Sequence, residues 1–274
     1  MKQDMKPPQG AAGERRTERF QDSKPEPTSP ARLLCSAMRC IDFRRYDEAE
    51  EILHDLLDEN PRDKKAVSAL IGLFSRTGEV DLATDVFQDA EDEGILDAHI
   101  CTAMIKAYGY AGEAGSALEI VELAEEKGLT DEVLYSTALD VCRKAGIIEM
   151  AEHVFGNARR RNQADLFVLT SMIQAYGESG DGVKALGLFS EIRPLADKHV
   201  YTAIISACGK CGLPGRARVL FDEAVRKGMA DSRTYTSMMR TYLMAGMQKD
   251  ADEIFDSAVR TGNADQFLIR CYRG

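Results

Sequence analysis

Two thiols three residues apart, Cys208 and Cys211 in the stretch ACGKCG (207–212), are the first candidates for chemistry in this 274-residue chain. A Cys-x-x-Cys pair is half of a four-thiolate zinc site, or a redox dithiol. No second cysteine pair is available to complete the zinc site. The seven cysteines are scattered and odd in number, which fits free thiols in a reducing compartment. The four histidines, His54, His99, His153 and His199, do not fall at metal-ligand spacing, and no Ser-His-Asp order, phosphate-cradling glycine loop or HExxH occurs. The residues therefore predict no catalysis, no metal and no cofactor. What the two thiols do instead depends on the element that carries them.

That element recurs. The segments 68–87, 102–121, 136–155, 170–189, 202–221 and 236–255 align without a gap. One column is always glycine (Gly78, Gly112, Gly146, Gly180, Gly212, Gly246). A second is always alanine (Ala83, Ala117, Ala151, Ala185, Ala217, Ala251). A third is apolar, mostly phenylalanine (Phe87, Val121, Phe155, Phe189, Phe221, Phe255). A late glycine closes most units, at Gly94, Gly128, Gly228 and Gly262, with Asn162 in its place once. Glycine and asparagine are the residues that tolerate the left-handed helix cap. Apolar residues recur at three and four positions, as a one-sided helix requires. Each unit is thus a helix, a glycine turn, a second helix and a capped stop. Helices of about 12 residues are marginal alone, so stability has to come from stacking units.

The pattern predicts an all-α fold, an α-solenoid of stacked helix-turn-helix repeats wound as a right-handed superhelix. Six units are placed at 64–97, 98–131, 132–165, 166–197, 198–231 and 232–265. A divergent, capping unit precedes them at 30–63, with Ala49 in the alanine column and Arg44 replacing the turn glycine. Residues 1–29, rich in Pro, Gly and mixed charge, read as disordered and lack both a secretory apolar core and a basic transit helix. The tail 266–274 reads as the opening of another helix, either a stub cap or the cut end of a longer chain. Cys208 falls in a column with Phe74, Tyr108, Cys142, Tyr176 and Tyr242; Cys211 falls with Thr77, Ala111, Ala145, Ser179 and Ala245. Both thiols are expected to be small packing residues between helices.

With YTAIISACGKCG in the first helix and A…LF in the second, the unit resembles the pentatricopeptide repeat, strongly over 64–265 and weakly over 30–63, where it is equally like a tetratricopeptide repeat. The resemblance implies a solenoid that binds single-stranded RNA, about one base per repeat. It implies that two side chains read each base, the fifth of the first helix and the last of the unit. In this sequence those are Ser68 and Asp97, Thr102 and Asp131, Ser136 and Asp165, Thr170 and Asp197, Thr202 and Asp231, and Thr236 and Asp265. In the family a small hydroxyl with aspartate goes with guanine. The chemistry is consistent, because a carboxylate only accepts and guanine's Watson–Crick edge offers two donors. The expected partner is a G- or purine-biased RNA of about six nucleotides. The residue two places into each unit is implied to stack between bases: His99, Val133, Phe167, His199 and Arg233, with Lys65 the poorest fit. Arg76, Lys144 and Lys210 share a column suited to phosphates, interrupted by Tyr110, Glu178 and Met244.

Plainer roles stand beside these. Each aspartate precedes a helix and can cap it for roughly 1 kcal/mol, and a helical Ser or Thr can bond back to a carbonyl one turn earlier. The net charge of −10 argues against loose electrostatic attachment to nucleic acid but not against a local groove. Units 64–131 carry 5 basic and 14 acidic residues, whereas 132–265 carry 17 of each, so the later units are expected to contribute more affinity. No apolar run approaches the ~20 residues of a membrane span. The expected function is RNA binding without catalysis, with a possible protein partner in RNA processing. The family points to mitochondrion or plastid, although the N-terminus gives no address. The alternatives are a tetratricopeptide-like protein scaffold, or the RNA-binding arm of a larger RNA-processing nuclease.

Overall fold

A computed structural model describes residues 29–273. The expected disordered segment lies outside the described residues, except for Ser29, which precedes the first helix. Fifteen α-helices occur among the described residues, fourteen of them in pairs. The first pair is α1 (Pro30–Asp42) with α2 (Tyr46–Glu59), followed by α3 (Lys64–Thr77) with α4 (Val80–Asp92) and α5 (Ala98–Ala111) with α6 (Ala114–Lys127). Then come α7 (Glu132–Ala145) with α8 (Ile148–Arg160), and α9 (Leu166–Ser179) with α10 (Gly182–Ile192), the latter extended by a 3-10 turn (Arg193–Leu195). The last are α11 (Lys198–Lys210) with α12 (Pro214–Arg226), α13 (Ser232–Met244) with α14 (Gln248–Arg260), and the short α15 (Gln266–Arg273).

The helices form two layers. Odd helices pack on one another in order from α3 to α15, and each even helix from α4 to α12 packs on its own odd partner and on the next odd helix. The fold is therefore an α-solenoid whose core runs continuously along the stack rather than closing on itself. The alanine column explains the close approach within each pair: Ala49, Ala83, Ala117, Ala151, Ala185, Ala217 and Ala251 are all essentially sealed from solvent. The phenylalanine column joins neighbours. Phe189 meets Tyr201 of the next pair edge-on at 5.6 Å, and Phe221 meets Tyr235 likewise at 5.0 Å.

The six turn glycines adopt φ between 68° and 87°, a region that a side chain enters only with strain. In the first pair Arg44 takes the same conformation at φ 59°, so the divergent turn keeps the geometry and bears its cost, about 1–2 kcal/mol for a non-glycine residue. A second glycine role has no counterpart in the turn pattern. Gly177 sits inside α9 where an added Cβ would stand 2.6 Å from the Ala207 Cβ and 2.7 Å from its Cα. The odd helices touch backbone to backbone there.

Polar clasps reinforce two joints. Glu223 on α12 accepts from Arg193 Nε at 3.1 Å, from the Tyr201 hydroxyl at 2.7 Å, and pairs with Lys227 at 3.0 Å. Its side chain is buried, and the Arg193 guanidinium above all holds its carboxyl at about 2. At an earlier joint Glu125 accepts from the Tyr135 hydroxyl and from Asn157 Nδ2, both at 2.9 Å. Cys208 is 1% exposed, and burial pushes its thiol up to about 11. Cys211 is half-buried with Sγ 3.8 Å from the Gly177 carbonyl. Both occupy packing positions between helices.

Candidate nucleic-acid interface

Residues four apart on a helix share a face. On each odd helix the fifth, ninth and later positions therefore form one ridge, as in Thr170, Gln174 and Glu178 on α9. These ridges line three clefts of about 700, 430 and 420 Å³ along the odd layer, of which the largest spans α9, α11 and α13. The clefts run into one another. Phe167, Thr170 and Gln174 border both the first and the second, while Lys106 and Tyr110 border both the second and that between α3 and α7. Together they make a trough across α3 to α13.

Most of the residues singled out by sequence meet in this trough. Ser68, Thr102, Ser136, Thr170 and Thr202 line it, as do Asp131, Asp165, Asp197 and Asp231. So do His99, Val133, Phe167, His199 and Arg233, and so do Arg76, Lys144 and Lys210. Thr236, Asp97, Asp265 and Lys65 do not border these clefts. Val133 and Phe167 are 57% and 66% exposed in the trough.

The plainer roles of the two columns are present as well. Every closing aspartate caps the next helix, and always through Oδ1. Asp97 accepts from His99 and Ile100 N–H at 3.0 Å, and Asp131 from Leu134 at 2.7 Å. Asp165 accepts from Val168 at 2.8 Å, Asp197 from His199 and Val200, Asp231 from Arg233 and Thr234, and Asp265 from Leu268. Oδ2 is left outside each cap. Among the hydroxyls, Ser136, Thr170, Thr202 and Thr236 donate to a carbonyl of the preceding turn, at 2.6–3.0 Å. A hydroxyl whose proton is committed in this way still accepts through a lone pair.

The cations of the expected phosphate column all have carboxylate partners in the fold: Arg76 lies 3.7 Å from Asp42, Lys144 2.7 Å from Asp140, and Lys210 pairs with Glu178. Glu178 also receives Arg143 at 3.2 Å, and Lys210 above all holds its carboxyl below the usual range. Partial burial would raise the Asp140 carboxyl, but hydrogen bonds from Lys144 and Arg143 outweigh it and lower it. Glu178 is therefore a counter-ion as well as a gap in the column. The pairs of Arg76, Lys144 and Lys210 are at least a third exposed and worth less than about 1 kcal/mol each.

Sequence reasoning missed the middle rung of each ridge. Gly72, Lys106, Asp140, Gln174 and Ser206 all line the trough one helical turn beyond the hydroxyl. Their identities share nothing, so no column pattern marks them; only the four-residue spacing from the hydroxyl would have found them. Tyr110, read as an interruption, is 71% exposed in the trough wall, with the Lys144 ammonium 5.7 Å over its ring.

Paired helices stacked in two layers with a trough along one of them define a helical-repeat solenoid. Sequence comparison gives the family. A model described as "pentatricopeptide repeat-containing protein" matches residues 66–192, and the single-repeat model matches 199–229 and 233–262. The chain belongs to the pentatricopeptide repeat family. A chloroplastic pentatricopeptide repeat-containing protein of Arabidopsis thaliana is 36% identical over 93 residues, 32% of this chain and 11% of that protein. A mitochondrial one from the same plant is 30% identical over 93 residues, 33% of this chain and 12% of that protein. The chain thus spans about a tenth of the length of the curated relatives it matches. Among solved structures, PPR10 from maize superposes with a TM-score of 0.64 at 20% identity, over 89% of this chain and 36% of that one. A tetratricopeptide repeat protein of Parabacteroides merdae gives 0.54 at 14% identity, over 89% of this chain and 97% of that one. Both likenesses are of fold.

Proposed function

We propose that this chain binds single-stranded RNA along the trough of its odd helices, with a bias toward guanine and over about six nucleotides. The observation that carries the reading is the convergence, in one continuous trough, of hydroxyls, aspartates and bare stacking side chains contributed by successive helix pairs. Phe167 and the histidines supply faces for bases, and the uncapped Oδ2 of Asp131, Asp165, Asp197 and Asp231 supplies an acceptor for guanine's N1–H and amino group. Membership of the pentatricopeptide repeat family supports it, as does the crystallisation of PPR10 in complex with an 18-nt RNA element. The chain acts by occupancy and without catalysis of its own, protecting, remodelling or presenting an organellar transcript, alone or with a protein partner. Relatives named as chloroplastic and mitochondrial support that setting.

A gel shift with G-rich and poly(U) oligonucleotides tests it. Preferential binding to the former is expected; equal, weak binding to both that salt erases would end the base-reading claim. Asp231→Asn keeps the helix cap, since the two residues cap equally well. It is expected to leave stability unchanged while moving the preferred base at that unit from guanine toward adenine. A pull-down insensitive to RNase, with no crosslink to RNA, selects the protein-scaffold reading instead.

A further inference from the structure

Each closing aspartate leaves Oδ2 outside its cap, and what faces that oxygen changes from unit to unit. In two units it is a lysine at the first position of the same unit. Lys64 Nζ lies 3.7 Å from Asp97 Oδ2, and Lys198 Nζ lies 3.8 Å from Asp231 Oδ2. The two contacts repeat each other: first residue to last residue, and always to the oxygen the cap does not use. The same first position holds Ala98, Glu132, Leu166 and Ser232 elsewhere. Ala98 and Leu166 bring no donor, and Glu132 brings a like charge. Ser232 lies beside Asp265 and lowers its carboxyl, although its hydroxyl falls short of good hydrogen-bond geometry.

We propose that, in the units whose aspartate borders the trough, the first residue sets how strictly that aspartate discriminates between bases, with Lys198 as the relaxing residue and the Lys64 contact as its structural repeat. The inference rests on the RNA reading above. A bare carboxylate oxygen accepts only, so it favours guanine and repels the N1 lone pair of adenine. An ammonium at contact distance offsets that charge and brings donors of its own to the same spot. An acceptor edge then finds a partner where it would otherwise meet only a lone pair. Lys198 is 54% exposed, on a flexible stem, and can turn from the aspartate to a base at little cost. Discrimination is a difference between two affinities, and the lysine narrows it from both sides. The units closed by Asp131 and Asp197, with alanine and leucine at the first position, are then the strict readers.

The test uses the full chain and a G-rich single-stranded RNA in which each position in turn is replaced by adenine. Binding is followed by fluorescence anisotropy for the wild type, Asp231→Asn, Lys198→Met and Ala98→Lys. The position that responds to Asp231→Asn marks the base read by that unit. At that position Lys198→Met is expected to raise the guanine-to-adenine affinity ratio about two- to fivefold, the scale of one exposed ion pair, and to leave other positions alone. Ala98→Lys is expected to lower the ratio by a similar factor at its own position. If Lys198→Met weakens every oligonucleotide by one common factor, Lys198 is a phosphate contact and the proposal fails with the base reading intact. If Asp231→Asn changes no ratio at any position, the base reading fails and the proposal goes with it.

Discussion

Replacing Glu223 with glutamine removes the charge at the centre of the clasp between the fifth and sixth helix pairs while keeping the size of the side chain. Its carboxyl stands at about 2 in the fold, against 4.5 ordinarily, chiefly through the hydrogen bond from Arg193. Taken at face value, that difference corresponds to a ceiling of about 3 kcal/mol. The partners argue for less. Arg193 and Lys227 are 54% and 45% exposed, so water screens both pairs, and about 1–2 kcal/mol is the working figure. Because the folded value lies below the unfolded one, this stability is complete above about pH 4.5 and is lost as pH falls toward 2. Urea denaturation followed by circular dichroism, for wild type and Glu223→Gln at pH 7, 5, 4 and 3, reads it directly. Helical-repeat arrays can unfold in stages, so amide exchange in α11 and α12 serves as the local measure. The stability gap between the two proteins is expected to be about 1–2 kcal/mol at pH 7 and to close below pH 4. A gap that is absent at pH 7, or that stays constant across the series, would refute the assignment of an ionic clasp.

Two glycine comparisons and one turn substitution follow from the packing. Gly177→Ala gains helix propensity of about 1 kcal/mol but drives a methyl into the Ala207 backbone, an overpacking cost of about 1–3 kcal/mol. Its thermal midpoint is expected to fall. Gly187→Ala, in α10 with nothing within 4 Å of the new methyl, is expected to rise in the same melting experiment; the opposite order would contradict the close contact of odd helices. Arg44→Gly relieves a left-handed residue at φ 59° and is expected to stabilise by about 0.5–1 kcal/mol after the greater freedom of unfolded glycine is counted, with a lowered midpoint as the contrary result.

The architecture was legible because its demands recur: a left-handed turn needs glycine and a tight helix pair needs alanine, so the same letters return at the same step. The aspartate and hydroxyl columns were legible for the same reason. Lys106, Gln174 and Ser206 were not, since facing a trough sets no single residue type. The pairing of Lys210 with Glu178 was hidden because it joins neighbouring units across 32 positions. The clasp at Glu223 was hidden because its members come from different helices of successive units and no single column marks the combination. Gly177 falls within the repeat segment 170–189, but its being glycine has no reason in the sequence until Ala207 lies against it.

In Asp131, Asp165, Asp197 and Asp231 one oxygen holds the helix start while the other stays outside the cap at the trough, which ties two properties that selection would otherwise vary separately. Under the proposed reading, a change of base preference at this column is confined to the few short polar side chains that also hold a helix start, namely Asp, Asn, Ser and Thr. The vocabulary for retargeting such an array is thereby written by the backbone, and a larger or apolar substitute at that column loosens the very rung it was meant to re-aim.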